Sequence, residues 1–266
     1  MEILSEAKRL RNSDYESFFE ALVNSKKTVV LTGAGISTLS GIKDFRSSNG
    51  LYSKDFGHMR VEDILDIDFF LAHPSVFYSW AKDAWYNMHD YSPNIVHRVL
   101  RVMEEKGYLS EGIFTQNIDG LHTREGSKKV YELHGTIERS ICTKCGESFS
   151  FDWTKELVDK SVIPMCPHCG GLVKPDIVFY GENLDPTLLY KADSSFHSPD
   201  LCIILGSSLV VQPASSLPYR ALQSGGKVCI VNRDKTYIDD YVSWRFDSLD
   251  EWGKKLWDYL KRHFDY

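Results

Sequence analysis

The chain has 266 residues, 42% hydrophobic and 26% charged, with a formal net charge of −6, the balance of a globular chain of one large domain or one and a half. That acidity argues against direct nucleic-acid binding and leaves room for a surface that attracts basic, lysine-bearing peptides, while no apolar run approaches the roughly 20 residues of a membrane span. The opening MEILSEAKRLRNSDYESFF mixes acids and bases without an apolar leader core, so the expected compartment is the cytoplasm.

Ser13-Asp14 ahead of Phe18, Phe19, Leu22 and Val23 predicts a capped amphipathic helix with a packing role. Residues 28–31 are an apolar, β-branched run of the kind buried in a parallel sheet, and Gly33-Ala34-Gly35 follows at once. Glycines at a strand's carboxyl end let the backbone turn sharply and approach a diphosphate. The stretch differs from a dehydrogenase fingerprint, because Thr38 replaces the third glycine of GxGxxG and no acidic residue closes a following strand to hold a ribose hydroxyl. Ser37, Ser40, Asp44, Phe45 and Arg46 follow the turn instead, a set in which Arg46 can clamp phosphate and Phe45 can cover a ring.

Residues 50–57 are turn-rich, and helical patterns follow at 61–71 and 74–88. The second carries Val76, Phe77, Trp80, Ala84 and Trp85 at helical spacing, which reads as core. Pro93 opens a helix with Val96, Val99, Leu100 and Met103 on its buried face, ending at Gly107; His97 on it reads as a structural histidine. The strand 112–115 delivers Gln116-Asn117-Ile118-Asp119 to its carboxyl end, where open α/β sheets gather ligand residues, although Asn117 and Asp119 also suit a turn. The strand 130–133 delivers His134-Gly135 in the same way.

Cys142-x-x-Cys145 and Cys166-x-x-Cys169, with 20 residues between the pairs, fit a zinc ribbon. Four thiolates leave the metal no open position, so its role is structural. Residues 138–174 hold five basic and five acidic side chains, without the basic stripe of a DNA-binding ribbon. Cys202 and Cys229 lie in the apolar runs LCIIL and VCIV and read as core thiols. Strands at 177–180, 201–205 and 228–231 end in a polar loop, in Gly206-Ser207-Ser208 and in Asn232; helices are expected from Pro213 to Gly225 and over 249–263.

With TQNIDGLH at 115–122, ELHG at 132–135 and GSSL at 206–209, the glycine stretch resembles the signature of the sirtuins, NAD-dependent protein lysine deacylases. The likeness spans most of the chain and departs at Lys43, where the family carries proline. It implies a doubly wound, Rossmann-like parallel sheet (residues 1–50, 92–137 and 176–266). A small lobe would be made of a helical insertion (51–91), whose inner face helps to wall the active cleft, and a zinc-ribbon insertion (138–175). His134 would be the general base, with Asn117 and Gln116 orienting ribose and Asp119 and the Ile118 amide holding a carboxamide. Phe45 would shield the reacting ribose; Gly33, Ala34, Gly35, Ser37, Thr38, Asp44 and Arg46 would bind the rest of NAD with Gly206, Ser207, Ser208 and Asn232. Val178, Tyr180, Gly181 and Glu182 would line one side of a slot for an acyl-lysine peptide and Leu209 and Val210 the other. A helix alignment places Tyr78 and Ala81 where succinyl-preferring sirtuins carry tyrosine and arginine, which implies a neutral acyl group, acetyl first. Mono-ADP-ribosyl transfer and a non-catalytic NAD-sensing module are the alternatives.

Overall fold

The structure, a computed structural model, describes residues 14–48 and 50–263, so Ser13 lies outside the described residues. Its strands are β1 Thr28–Thr32, β2 Gly112–Thr115, β3 Val130–Glu132, β4 Gly135–Cys142, β5 Ser148–Ser150, β6 Val173–Ile177, β7 Leu201–Leu205, β8 Lys227–Val231 and β9 Trp244–Phe246. Six of them form a wholly parallel sheet in the order β3-β2-β1-β7-β8-β9. Chain order reverses between β1 and β7, which is where doubly wound sheets open a crevice at their carboxyl edge.

Period-2 alternation divides the sheet's side chains between two cores. Val30, Ile113, Ile203 and Val231 face the helices Tyr15–Asn24, Ile95–Glu105 and Leu249–His263, against Phe18, Leu22, Leu100, Met103, Trp252 and Leu256. Val29, Leu31, Phe114 and Ile204 face Ala192 and Phe196 of the helix Pro186–Phe196 and Leu217 and Ala221 of the helix Leu217–Gln223. Cys202 and Cys229 are buried on opposite faces, where burial pushes both thiols up.

Asp14 caps the first helix by accepting from the amides of Glu16 and Ser17, and Val23 on it is exposed. Asn94 caps the helix Ile95–Glu105 and also donates to Ile36 O and Ser40 Oγ, both at 2.8 Å, so the same side chain fastens the glycine turn. His97 Nδ1 closes that capping box by accepting from the Asn94 amide at 3.3 Å; burial pushes its pKa down to about 3, and it stays neutral, as a structural histidine should.

The second lobe is an antiparallel sheet, β5-β4-β6, covered by helices. The pattern expected at 61–71 splits into Val61–Ile64 and Ile67–Ala72, because Tyr180 N donates to Leu65 O and Ile67 N to Tyr180 O across the break. The helix Pro74–Ala84 packs Phe77 and Tyr78 against Phe70, with Phe179 also touching Phe77. The strand expected at 177–180 is instead β6, which ends at Ile177 and pairs with β4. Residues 135–137 and 176–177 therefore lie in the small-lobe sheet rather than the parallel one. The alternation of Val173, Pro175 and Ile177 as buried positions carries this register. Helices at Leu121–Glu125, Phe151–Asp159 and Pro186–Phe196 were not legible from apolar period; Asp185-Pro186, a cap followed by proline, is the overlooked signal for the last.

Candidate active site

The carboxyl ends of β1 and β7 meet at the switch point. Gly33 N donates to Leu205 O and Gly35 N to Gly206 O, both at 2.9 Å. A Cβ on Gly33 would lie 2.7 Å from Gly206 O, and Gly206, at φ +63°, would press a Cβ to 2.5 Å from Ile36 N. Only glycine fits at either place. The turn continues as a 3₁₀ segment, Ala34–Ser40, in which Thr38 Oγ1 donates to Gly35 O at 2.8 Å. Here the third glycine of a dinucleotide fingerprint is replaced by a side chain that serves the turn.

A cavity of about 1090 Å³ opens over this junction, between the parallel sheet and the small lobe. The glycine turn, Thr38 and Asp44 to Arg46 line it along one side, and Gln116, Asn117, Ile118 and His134 form its inner end. Val178 and Tyr180 to Glu182 stand on the small-lobe wall, Gly206 to Ser208 and Val210 face them, and Asn232 stands at the outer end. Three expected residues fall elsewhere. Ser37 and Asp119 lie behind the lining, and Leu209 turns through φ +54° into the core under the sheet while Val210 swings outward, 62% exposed. The Leu209 side chain is thus core packing, and only its backbone is left to the slot.

Behind the inner end, Ser37 Oγ donates to Asp119 Oδ2 at 2.6 Å, Asn117 Nδ2 donates to Ser37 Oγ at 3.0 Å, and Leu121 N donates to Asp119 Oδ1 at 2.9 Å. Burial raises the Asp119 pKa, opposed by those two donors. The network spends the amide end of Asn117 and leaves its Oδ1 buried without a partner. His134 stands similarly: its Nδ1 lies 3.1 Å from Gln116 O, which can only accept, so the proton sits on Nδ1 and Nε2 is the free acceptor. Burial lowers the His134 pKa, and the charge of Arg46 lowers it further against the Gln116 bond.

Two orphaned acceptors at the inner end and a glycine junction at the phosphate position fit a dinucleotide with its polar ring at His134. Gln116 Nε2 reaches Ser207 Oγ at 3.3 Å, tying the ends of β2 and β7 together across the turn. The loop after the turn lacks the family's proline at Lys43, yet Leu51 N to Asp44 O at 2.7 Å and Tyr52 N to Phe45 O at 2.8 Å close it on itself. Arg46 stacks over Tyr52 at 5.4 Å, donates to the Tyr180 hydroxyl at 3.5 Å and lines the cavity.

Leu65, Trp85, Ile177 and Phe179 complete an apolar wall of the cavity. The aromatic stripe packs as core, with Trp85 1% exposed, and one edge of it reaches the cavity, as the resemblance implies. Asp247 to Asp250 line the outer end, and they were overlooked because β9, which delivers them, is three residues long with no apolar run. Tyr78 is not at the cavity: its hydroxyl donates to Val173 O at 2.5 Å inside the small lobe, and Ala81 is buried beside it. The expected acyl-pocket alignment of those two residues therefore fails.

At the tip of the small lobe the four cysteines bring their sulfurs within 4.8 Å of one another, with Cys142–Cys169 at 3.5 Å and Cys145–Cys166 at 3.7 Å. Thiolates about 2.3 Å from one tetrahedral metal would stand about 3.8 Å apart, so the set fits zinc. His168 is exposed and outside the cluster.

The model of the Sir2 family matches residues 33–213. The NAD-dependent protein deacetylase of Thermotoga maritima is 44% identical over 232 residues, which cover 87% of this chain and 92% of that protein. A solved Sir2 structure with a p53 peptide and NAD+ superposes with a TM-score of 0.83 at 42% identity, covering 92% of this chain and 97% of the other. A second, Sir2 bound to a propionylated peptide, gives 0.83 at 40% identity over 92% and 98%. A shared signature, a shared fold and identity sustained over most of both chains have one explanation: this chain belongs to the Sir2 family, the sirtuins.

Proposed function

We infer that the chain removes acyl groups from protein lysine side chains at the expense of NAD, with His134 as general base. The observation that carries the assignment is the buried, unpartnered Nε2 of His134, fixed as an acceptor by the Gln116 carbonyl and facing the cavity beside Asn117. NAD, when bound, would supply the nicotinamide–ribose bond: the acyl oxygen takes the ribose carbon as nicotinamide leaves, and a water then cleaves the acyl C–N bond, giving free lysine and O-acyl-ADP-ribose. His134 Nε2 takes the proton of a ribose hydroxyl, a task that suits a neutral imidazole. Asn117 Oδ1 accepts from ribose, since its amide nitrogen is held by Ser37. The Ile118 amide takes the carboxamide end at the lining, backed by Asp119 behind it, whose carboxylate oxygens each accept one bond here and keep a second lone pair. Phe45 covers the reacting ribose, and Arg46, Gly33 and Ser207 hold the diphosphate side.

The peptide lies as an added strand between residues 178–182 and 208–210, read through main-chain bonds that tolerate many sequences. Its acyl group meets Leu65, Trp85, Ile118 and Phe179. Burying a carboxylate there without a partner costs several kcal/mol, and the cavity's Lys43, Arg46 and Arg233 stand on the cofactor loop and at the β8 exit instead. A neutral acyl group follows, acetyl first; a relative's complex with a propionylated peptide is in keeping with it. The thiol-rich, metal-binding cysteine set suits a reducing compartment, the cytoplasm. Competing acetyl- and succinyl-lysine peptides of one sequence test the assignment: NAD-dependent loss of the acetyl group should dominate, and a higher kcat/KM for the succinyl peptide would overturn it.

A further inference from the structure

The outer end of the cleft is made from two segments, the loop 232–239 after β8 and residues 247–250, which lead from β9 into the last helix. Asn232, Asp234, Asp247 and Asp250 line the cavity there, and one guanidinium behind them joins both segments. Arg245 on β9 is 13% exposed and lies against Asp239, which is 16% exposed. Its Nε donates to Asp239 Oδ2 at 2.9 Å and its Nη1 to Asp247 Oδ1 at 2.7 Å. Its Nη1 also donates to the Phe246 carbonyl, and its Nη2 to Asp234 O at 3.2 Å. That Asp234 carbonyl is the one Asn232 Nδ2 reaches at 2.8 Å, while Asp239 Oδ1 takes the Thr236 amide at 3.1 Å and its hydroxyl at 2.5 Å. One fork of donors thus spans the start of the first segment, its end and the second segment.

We propose that Arg245 is a positioning residue for the adenosine half of NAD, holding these two segments at the separation the ligand requires without touching it. The proposal rests on the reading of the cleft as an NAD site. The chemistry favours arginine: four acceptors lie around one planar group, and an ammonium cannot meet them together. Loss of Arg245 leaves Asp239 buried without its cation and frees Asp247, at the cavity wall, to repel a diphosphate. The inner end stands on β2, β4 and the glycine turn, so the defect stays at the outer end.

Arg245→Gln and Arg245→Lys in the full chain, with thermal unfolding and zinc content measured to establish folding, test the proposal. The Kd of ADP-ribose and the KM for NAD should rise on the order of tenfold in Arg245→Gln, while kcat at saturating NAD, the peptide KM and inhibition by free nicotinamide change by less than about threefold. Arg245→Lys should recover only a minor part of the loss. An unchanged ADP-ribose Kd in folded Arg245→Gln overturns the proposal, as does an equal loss in peptide and nicotinamide affinity, which would mark a general structural role. If Arg245→Gln does not fold, Asp239→Asn, which removes the largely buried carboxylate partner of Arg245 while an amide oxygen can still take the Thr236 donors, should weaken ADP-ribose by about threefold, and no change there overturns it equally. A wild-type protein that binds ADP-ribose but leaves acetyl-lysine intact would overturn the deacylase assignment and not this one.

Discussion

His134 has one nitrogen committed to Gln116 O and the other left to the cavity, so protonation would place a charge where burial has removed water. Burial comes first and the Arg46 charge second in holding its pKa below the ordinary 6.5 of histidine. The base works when neutral, so activity is full above the folded pKa and falls as pH drops through it. The acid limb of kcat/KM should therefore lie below pH 6.5; a midpoint at or above 6.5 would mean that another group limits the rate. His134→Ala should lose on the order of 10²–10⁴ in rate with NAD binding and melting temperature retained. Near wild-type turnover in that variant would make His134 structural. At the same scale the sequence was most legible where chemistry and backbone agree: Gly33, Gly206, Asn117 and His134 all stand where strand ends must put them. It was least legible at Leu209 and Tyr78, since a single left-handed residue or one helical turn decides which way a side chain points, and no composition signal records it.

Among the elements, the small lobe depends on its metal. Among the described residues, Val173, Phe149 and Trp153 alone add apolar packing beneath the four thiols, too little to hold the tip by themselves. Purified protein should contain about one zinc per chain, and a chelator that strips it should lower the melting temperature sharply, because a structural thiolate site binds with about 10 kcal/mol or more. A well-folded sample with less than about half a zinc would contradict this. Tyr78 joins the helix Pro74–Ala84 to β6 through Val173 O, so Tyr78→Phe should cost about 1 kcal/mol in denaturant unfolding and leave the acetyl-to-succinyl ratio unchanged. A change in that ratio would restore Tyr78 to the acyl pocket. The buried strands β1 and β7 were plain in the sequence as unbroken β-branched and apolar runs. β6 and β9 were misread or overlooked because short strands with alternate burial, carrying proline or arginine, resemble loops until their partners are known.

For the whole molecule, the reversal of strand order between β1 and β7 opens the crevice, and the small lobe roofs it with Leu65, Trp85 and Phe179. On the proposed function, NAD and peptide would meet between the two lobes, with the acyl group against the roof and the ribose against His134. That meeting is the central claim, and product stoichiometry tests it most directly. The protein, NAD and an acetyl-lysine peptide should give nicotinamide, deacetylated peptide and O-acetyl-ADP-ribose in equal amounts by mass spectrometry, with all three lost together in His134→Ala. Free acetate released without NAD, or ADP-ribose attached to the peptide while its acetyl group remains, would contradict the account.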